Sequence, residues 1–243
     1  MRKIFLLSLL SIFLLSTYAL PDIEKDAQDI LNKMIEAQGG RETLEKIEDT
    51  KISGTIEMTQ MGVNGTLTIY FKEPNKMRFD VEVMGMVITQ AYDGETAWFT
   101  NPQTGNSEEM PEQMAVDFKR QAFGNDSLLN PEKFGITYAY KGKEAVEGKE
   151  YLMLEQTFDD GFKAMLYIDS ETFLLYKTKA KTISPAGAEV EAETLMEDYI
   201  EVEGMMMPTS MTTFQDGNEF MVMTLSESTF NTGVEDSFFE MKN

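Results

Sequence analysis

The sequence predicts a mainly β protein with helices, built as one long antiparallel sheet that curls and has its concave side plugged by helical segments. Three observations lead there. From Lys51 onward apolar residues recur at every second position, as in Leu67, Ile69 and Phe71 or Met77, Phe79, Val81 and Val83, which is the period of a strand with one buried and one wet face. Asn64-Gly65, Asp93-Gly94, Asp160-Gly161 and Asp216-Gly217 sit between such runs, where hairpins favour residues that tolerate positive φ. About twelve strands follow from this pattern, and an open twisted sheet of more than about ten strands curls or splits.

Taken in order, the chain begins Met1-Arg2-Lys3, continues with the uncharged run Ile4 to Leu15, and then offers Thr17 and Ala19 as small residues before Leu20. This is the pattern of a cleaved signal peptide over residues 1–19, and the run is shorter than the roughly 18 to 20 apolar residues of a spanning helix. Residues 20–243 are expected to form a single domain, without stable membrane insertion. Asp22 to Ala37 places Ile23, Ala27, Ile30, Leu31, Met34 and Ile35 on one stripe, an amphipathic helix stopped by Gly39-Gly40. Arg41 to Ile47 adds a second short helix. Strands are expected near 51–60, 65–72, 76–84, 86–92, 96–100, 136–146, 150–158, 162–169, 173–182, 188–201, 205–214 and 219–229. One helical insert divides five strands from seven: Pro111 to Phe123 puts Met114, Ala115, Phe118 and Ala122 on one face, and Asn125 to Phe134 adds another short helix.

Composition narrows the chemistry. Hydrophobic residues make up 42% and charged residues 26% of 243, a globular balance. The chain has 0 Cys and 0 His, which removes thiol and imidazole nucleophile pairs, Cys/His zinc sites, and haem or iron–sulfur ligation. It carries 21 basic against 42 acidic residues, net −21, and loss of residues 1–19 leaves 19 against 42, net −23. Such a surface repels phosphate backbones, so nucleic acid is not an expected partner. An exported chain without cysteine must hold together by its core, and a bacterial periplasm suits it. No cysteine stands at the cleavage site to take a lipid anchor.

Nucleotide motifs fail. Gly142 to Lys149 approaches a phosphate-binding loop but has one residue too many between its glycines and Glu150 where Ser or Thr is needed. Carboxylate neighbours such as Asp159-Asp160 and Glu108-Glu109 are expected from composition alone among 42 acids. The 19 methionines include Met84-x-Met86, Met205-Met206-Met207 and Met221-x-Met223. Paired thioethers on a strand suit Cu(I), but without His they read as core or as an adaptable surface for apolar ligands. No catalytic residue, metal or cofactor is expected.

Two segments are more specific. Tyr70-Phe71-Lys72-Glu73-Pro74-Asn75-Lys76-Met77-Arg78-Phe79 is followed by Tyr92-Asp93-Gly94-Glu95-Thr96-Ala97-Trp98-Phe99-Thr100-Asn101-Pro102. Aromatic-x-Lys-x-Pro-Asn, then Asp-Gly-x-Thr-x-Trp-Phe-x-Asn-Pro, resembles the periplasmic lipoprotein carrier LolA and its relatives, the outer-membrane lipoprotein-sorting proteins. The resemblance implies a curled, incomplete antiparallel β-barrel, here of about eleven or twelve strands, with a helical lid or plug. It implies an apolar cavity that shelters acyl chains crossing the periplasm. The implied cargo is an acylated lipoprotein or lipid, with inner- and outer-membrane transfer proteins as partners. The alternative is a non-carrier binding or sensor module of the same fold that contacts another envelope protein. Where the carrier has a basic residue between the Lys and the Pro, this chain has Glu73, so the carrier's handover chemistry does not transfer to that position. The expected cavity residues are the inward-reading Leu67, Ile69, Phe71, Met77, Phe79, Val81, Val83, Ile88 and Trp98, with Met114 and Phe118 on the lid.

Overall fold

A computed structural model describes residues 24–184 and 188–242. The leader and its expected cleavage site lie outside the described residues. Among those described, thirteen strands form one antiparallel sheet in the order β6-β5-β4-β3-β2-β1-β13-β12-β11-β10-β9-β8-β7. The first half runs β1 (Asp49–Met58), β2 (Val63–Lys72), β3 (Lys76–Val83), β4 (Met86–Tyr92), β5 (Ala97–Thr100) and β6 (Ser107–Glu109). The second runs β7 (Thr137–Val146), β8 (Lys149–Thr157), β9 (Lys163–Asp169), β10 (Leu175–Ile183), β11 (Glu189–Val202), β12 (Met205–Gln215) and β13 (Asn218–Phe230). The two meanders are joined where β1 pairs with β13, from Thr50↔Phe230 to Glu57↔Val222. The sheet is therefore open, with β6 at one edge and β7 at the other.

Among the described residues four α-helices accompany it: α1 (Lys25–Ala37), α2 (Arg41–Leu44), α3 (Glu112–Gln121) and α4 (Asn125–Leu129). The predicted stripe of α1 buries Ala27, Ile30, Leu31, Met34 and Ile35. They pack with Tyr138, Leu152, Leu154, Leu166 and Ile168 of β7–β9 into one core cluster. Each Leu, Ile or Met side chain among them is worth about 1.5–3 kcal/mol when fully buried. α3 sinks Phe118, with Ala122 behind it, into a second cluster made with Ile52, Ile56, Leu67, Ile69, Met77, Val81, Met223 and Leu225. From the β5–β6 side α3 reaches the far half of the sheet. There Arg120 pairs with Asp160 of the β8–β9 turn, its guanidinium lies 4.0 Å from the Phe162 ring centroid, and Thr182 of β10 donates to Asp117 at 3.2 Å. The insert thus spans the open side.

Several details differ from the expectation. Asn64 and Gly65 are not a turn: they lie within β2, opposite Glu57 and Ile56. The chain reverses earlier, through a 3₁₀ turn at Thr59–Met61 closed by Gly62 with φ of 61°. Gly65 is required by crowding instead, since a Cβ there would stand 2.5 Å from the Glu82 carbonyl oxygen and 2.8 Å from Val83 Cγ2. β6 adds a strand to the expected dozen. Its Ser-Glu-Glu has no apolar alternation to reveal it, and it is placed by the preceding turn, where Asn101 N–H donates to Asn106 O at 2.8 Å. The expected helix over 125–134 breaks at Asn130, because the residue before Pro131 is disfavoured in the α region.

The largest difference is the C-terminal tail, which sequence periodicity leaves unread. After β13 it doubles back over the convex face of β2–β5. Asp49, 3% exposed, accepts hydrogen bonds from the N–H of Thr232, Gly233 and Val234 at 2.7, 2.8 and 3.3 Å, and from the Thr232 hydroxyl at 2.7 Å. Burial pushes its carboxyl up, but these donors outweigh burial and hold it below the ordinary range. Lys72 and Lys76 pair with Asp236 at 2.6 and 3.2 Å. Arg78 donates to the Phe238 carbonyl at 3.0 Å, and its guanidinium carbon lies 4.3 Å from the centroid of that ring. Phe239 is fully buried. The face of β3 read as wet, Arg78 and Asp80, is therefore largely covered.

Candidate functional site

Between the two core clusters, on the concave side, lies a cavity of about 300 Å³. Its walls come from Ile52 of β1, Phe71 of β2, Leu175 of β10, Met196 and Tyr199 of β11, and Met205 to Pro208 of β12. Its roof comes from the insert, through Phe123 and Leu128. Met207 packs against both clusters and so stands at their junction. Its polar atoms are engaged. The Tyr199 hydroxyl donates to the Leu175 carbonyl at 2.6 Å, and burial pushes its pKa well above the usual phenol. The ring is thereby offered to the cavity while its oxygen is satisfied.

Glu73, in the β2–β3 turn, lines this cavity and also a second cleft of about 540 Å³ on its other side, bounded by Leu44, Ile47, Lys72 and Leu129. Its carboxylate accepts the N–H of Asn125 at 2.6 Å and of Asp126 at 3.2 Å, the first two residues of α4. Gly124 leaves the room, since a Cβ there would fall 2.3 to 2.5 Å from the carboxylate atoms. Burial raises the Glu73 pKa above the usual carboxylate, the two N–H donors oppose this, and neighbouring Asp126 adds to the rise. The position where the resembling family carries a basic residue is thus an acidic latch, tying the sheet to the insert.

The sequence-predicted residues separate into three groups. Phe71 lines the cavity. Leu67, Ile69, Met77, Val81 and Phe118 are buried in the core beneath α3, with Phe79 and Val83 packed against it; Ile88 lies opposite Val81, on the same side of the sheet. Trp98 and Met114 are corrections. Trp98 pairs with Ala91, and Ala91 with Arg78, which puts it on the convex face; there its indole N–H donates to the Phe239 carbonyl at 2.8 Å. With apolar residues on both faces of Ala97-Trp98-Phe99, alternation could not assign its side. Met114, one turn before the buried Phe118 on α3, is 49% exposed and takes no part in the cavity lining. Met196, Tyr199, Leu175, Phe123 and Leu128 were missed. The available signal was the methionine run at 205–207 and its partners across the β11–β12 hairpin.

Much of the motif that carries the resemblance, Tyr70, Lys72, Arg78 and Trp98, grips the C-terminal tail. It is a signature of how the sheet is sealed.

No family model matches the chain, and no curated protein does. Among solved structures the chain is similar to a LolA superfamily protein from Nitrosomonas europaea, with a TM-score of 0.61 and 16% identity over 88% of this chain and 97% of the other. It is also similar to a DUF1329 family protein from Desulfovibrio piger, TM-score 0.59, 14% identity, 88% and 97% covered. A third, described as an outer membrane lipoprotein-sorting protein domain from Vibrio parahaemolyticus, gives 0.58 and 13%, with 88% and 96% covered. At these identities the likeness is one of fold.

Proposed function

We propose, starting from the LolA-like fold of this chain, that it is a periplasmic carrier sheltering the acyl chains of lipoproteins or lipids, without covalent chemistry. The observation that carries this reading is the cavity between the two cores. Its size is at the lower end of ligand sites, roughly 300–1,000 Å³, and its lining is mainly thioether, aromatic and aliphatic, with Gln38, Thr50, Glu73 and Asn125 also on its wall. Methionine has three rotatable bonds and adapts to irregular apolar shapes, so Met196 and Met205 to Met207 let the cavity widen around a chain. Each buried CH₂ is worth about 0.8 kcal/mol, which is why an acyl chain needs a dry shelter to cross water. The likeness to a protein described as lipoprotein-sorting supports the same reading.

Native mass spectrometry of the protein purified from its own periplasm tests it. The wild type is expected to carry lipid or acylated peptide. Met207→Trp, which fills the junction of the clusters, is expected to remain folded and lose that adduct. A wild type that carries nothing, and takes up no added fatty acid or phospholipid, refutes the carrier.

A further inference from the structure

The β3–β4 hairpin turns on Met84 and Gly85, with φ of 52° and 77°, the paired left-handed conformation of a two-residue turn. Among the described residues three other hairpins turn in the same way, at Glu147-Gly148, Glu203-Gly204 and Asp216-Gly217, and each carries an acidic residue at the first position. Methionine gains nothing from that conformation, and Met84 is 89% exposed. It has company: Met86 and Val87 beside it are 56% and 54% exposed, and Met61 in the adjoining β1–β2 turn is 67% exposed. The two turns lie side by side at one end of the sheet, since β2 pairs with β3 and the hairpins end at Met58↔Val63 and Val83↔Met86. No charged residue occurs from Met58 to Phe71 or from Val83 to Tyr92, in a chain with 42 acids.

We infer that this double tip docks the protein transiently on a lipid bilayer, with Met61, Met84, Met86 and Val87 entering the interface. Four side chains offer a few hundred Å² at most, below the roughly 800 Å² per partner of a stable protein contact. Glu57, Glu82 and Glu219 stand exposed behind the tip, Glu219 accepting from the Thr59 hydroxyl at 2.9 Å, a rim of one charge sign in place of the mixed polar rim that gives protein partners their register. A bilayer interface asks for neither, and accepts flexible apolar groups at the end of a rigid element. The net charge of −21 opposes adhesion to anionic lipid, so the contact rests on the uncharged tip. No helix among the described residues is long and apolar enough to cross a membrane. This inference is independent of the cavity.

The test is flotation of the full chain, expressed with its leader and purified from the periplasmic fraction, with phosphatidylcholine vesicles. The wild type is expected to float with them. Met84→Asn suits the left-handed turn better, so it is expected to raise the melting temperature slightly while lowering the vesicle-bound fraction about tenfold. Ile200→Glu, at the opposite end of the sheet and 49% exposed, should leave binding unchanged. Phosphatidylglycerol should weaken binding at low salt, with recovery as salt is added. A wild type that never floats overturns the inference. So does a Met84→Asn variant that binds as well as wild type. Self-association that Met84→Asn abolishes, seen by ultracentrifugation without vesicle binding, overturns it in favour of a second copy of the chain.

Discussion

Replacing Gly124 by alanine should unlatch the insert from the sheet. The backbone at Gly124 is extended, φ −86° and ψ −160°, so alanine is allowed there and on its own would stabilise by about 0.4–1 kcal/mol through the unfolded chain. The added Cβ, however, would stand 2.3, 2.4 and 2.5 Å from Glu73 Oε1, Oε2 and Cδ. The end of a glutamate is mobile, so the carboxylate swings away and both of its hydrogen bonds to α4 are lost. Two such bonds at about 1 kcal/mol each set the loss near 2 kcal/mol, leaving a net destabilisation of about 1–2 kcal/mol. Urea unfolding measures it. The decisive comparison is a double-mutant cycle with Glu73→Ala, because if alanine at 124 acts by expelling Glu73, the double variant is no worse than either single one. Burial raises the folded pKa of Glu73 above 4.5, so the wild-type advantage is fully present below that pH and narrows as pH rises through the raised value. Additive losses in the cycle, or an unchanged Gly124→Ala protein, refute the latch.

Two further outcomes are expected. Asp49→Asn removes one of the two oxygens that gather the N–H groups of Thr232, Gly233 and Val234, at a cost of about 1–3 kcal/mol. Because the folded carboxyl is held below 3.8, the gap to wild type should be constant above about pH 5 and close as pH falls through the depressed value; urea midpoints across pH report it, and a gap that persists in acid counts against the assignment. Val81→Glu buries a carboxyl in a position 5% exposed, against Leu67 and Ile88, and should cost several kcal/mol, whereas Glu82→Val on the exposed side should stay within about 0.5 kcal/mol. Circular dichroism melts separate them, and a Val81→Glu protein as stable as wild type would mean that the space beneath α3 is not core.

Alternation along β2 and β3 was enough to place Leu67, Ile69, Met77 and Val81 on one side of the sheet, because these strands have one apolar and one polar face. The same rule failed at Trp98, where both faces are apolar and only pairing partners decide. It failed at Gly65 as well, where Asn-Gly reads as a turn although steric crowding by β3 explains the glycine. The cavity was the least legible feature. It lies where two core clusters meet, and its walls come from strands more than 100 residues apart in sequence, Phe71 and Met196 among them. Local periodicity carries no information about which buried surfaces fail to close on one another. The tail after Phe230 has neither period, and its place is set by Arg78, which reads as an ordinary solvent-facing charge, and by Asp49, which lies outside the expected strands.

The pairing of β1 with β13 joins Thr50 to Phe230, 180 positions apart in a chain of 243. A polypeptide made from its N-terminus therefore exposes one bare edge of β1 until β13 has been synthesised, and the aromatic face of β2–β5 stays uncovered until Phe239 arrives. Contacts of such long range are slow to form because closing a loop of this size costs chain entropy first. The first six strands must then wait as an unfinished sheet whose open edge invites pairing with another chain.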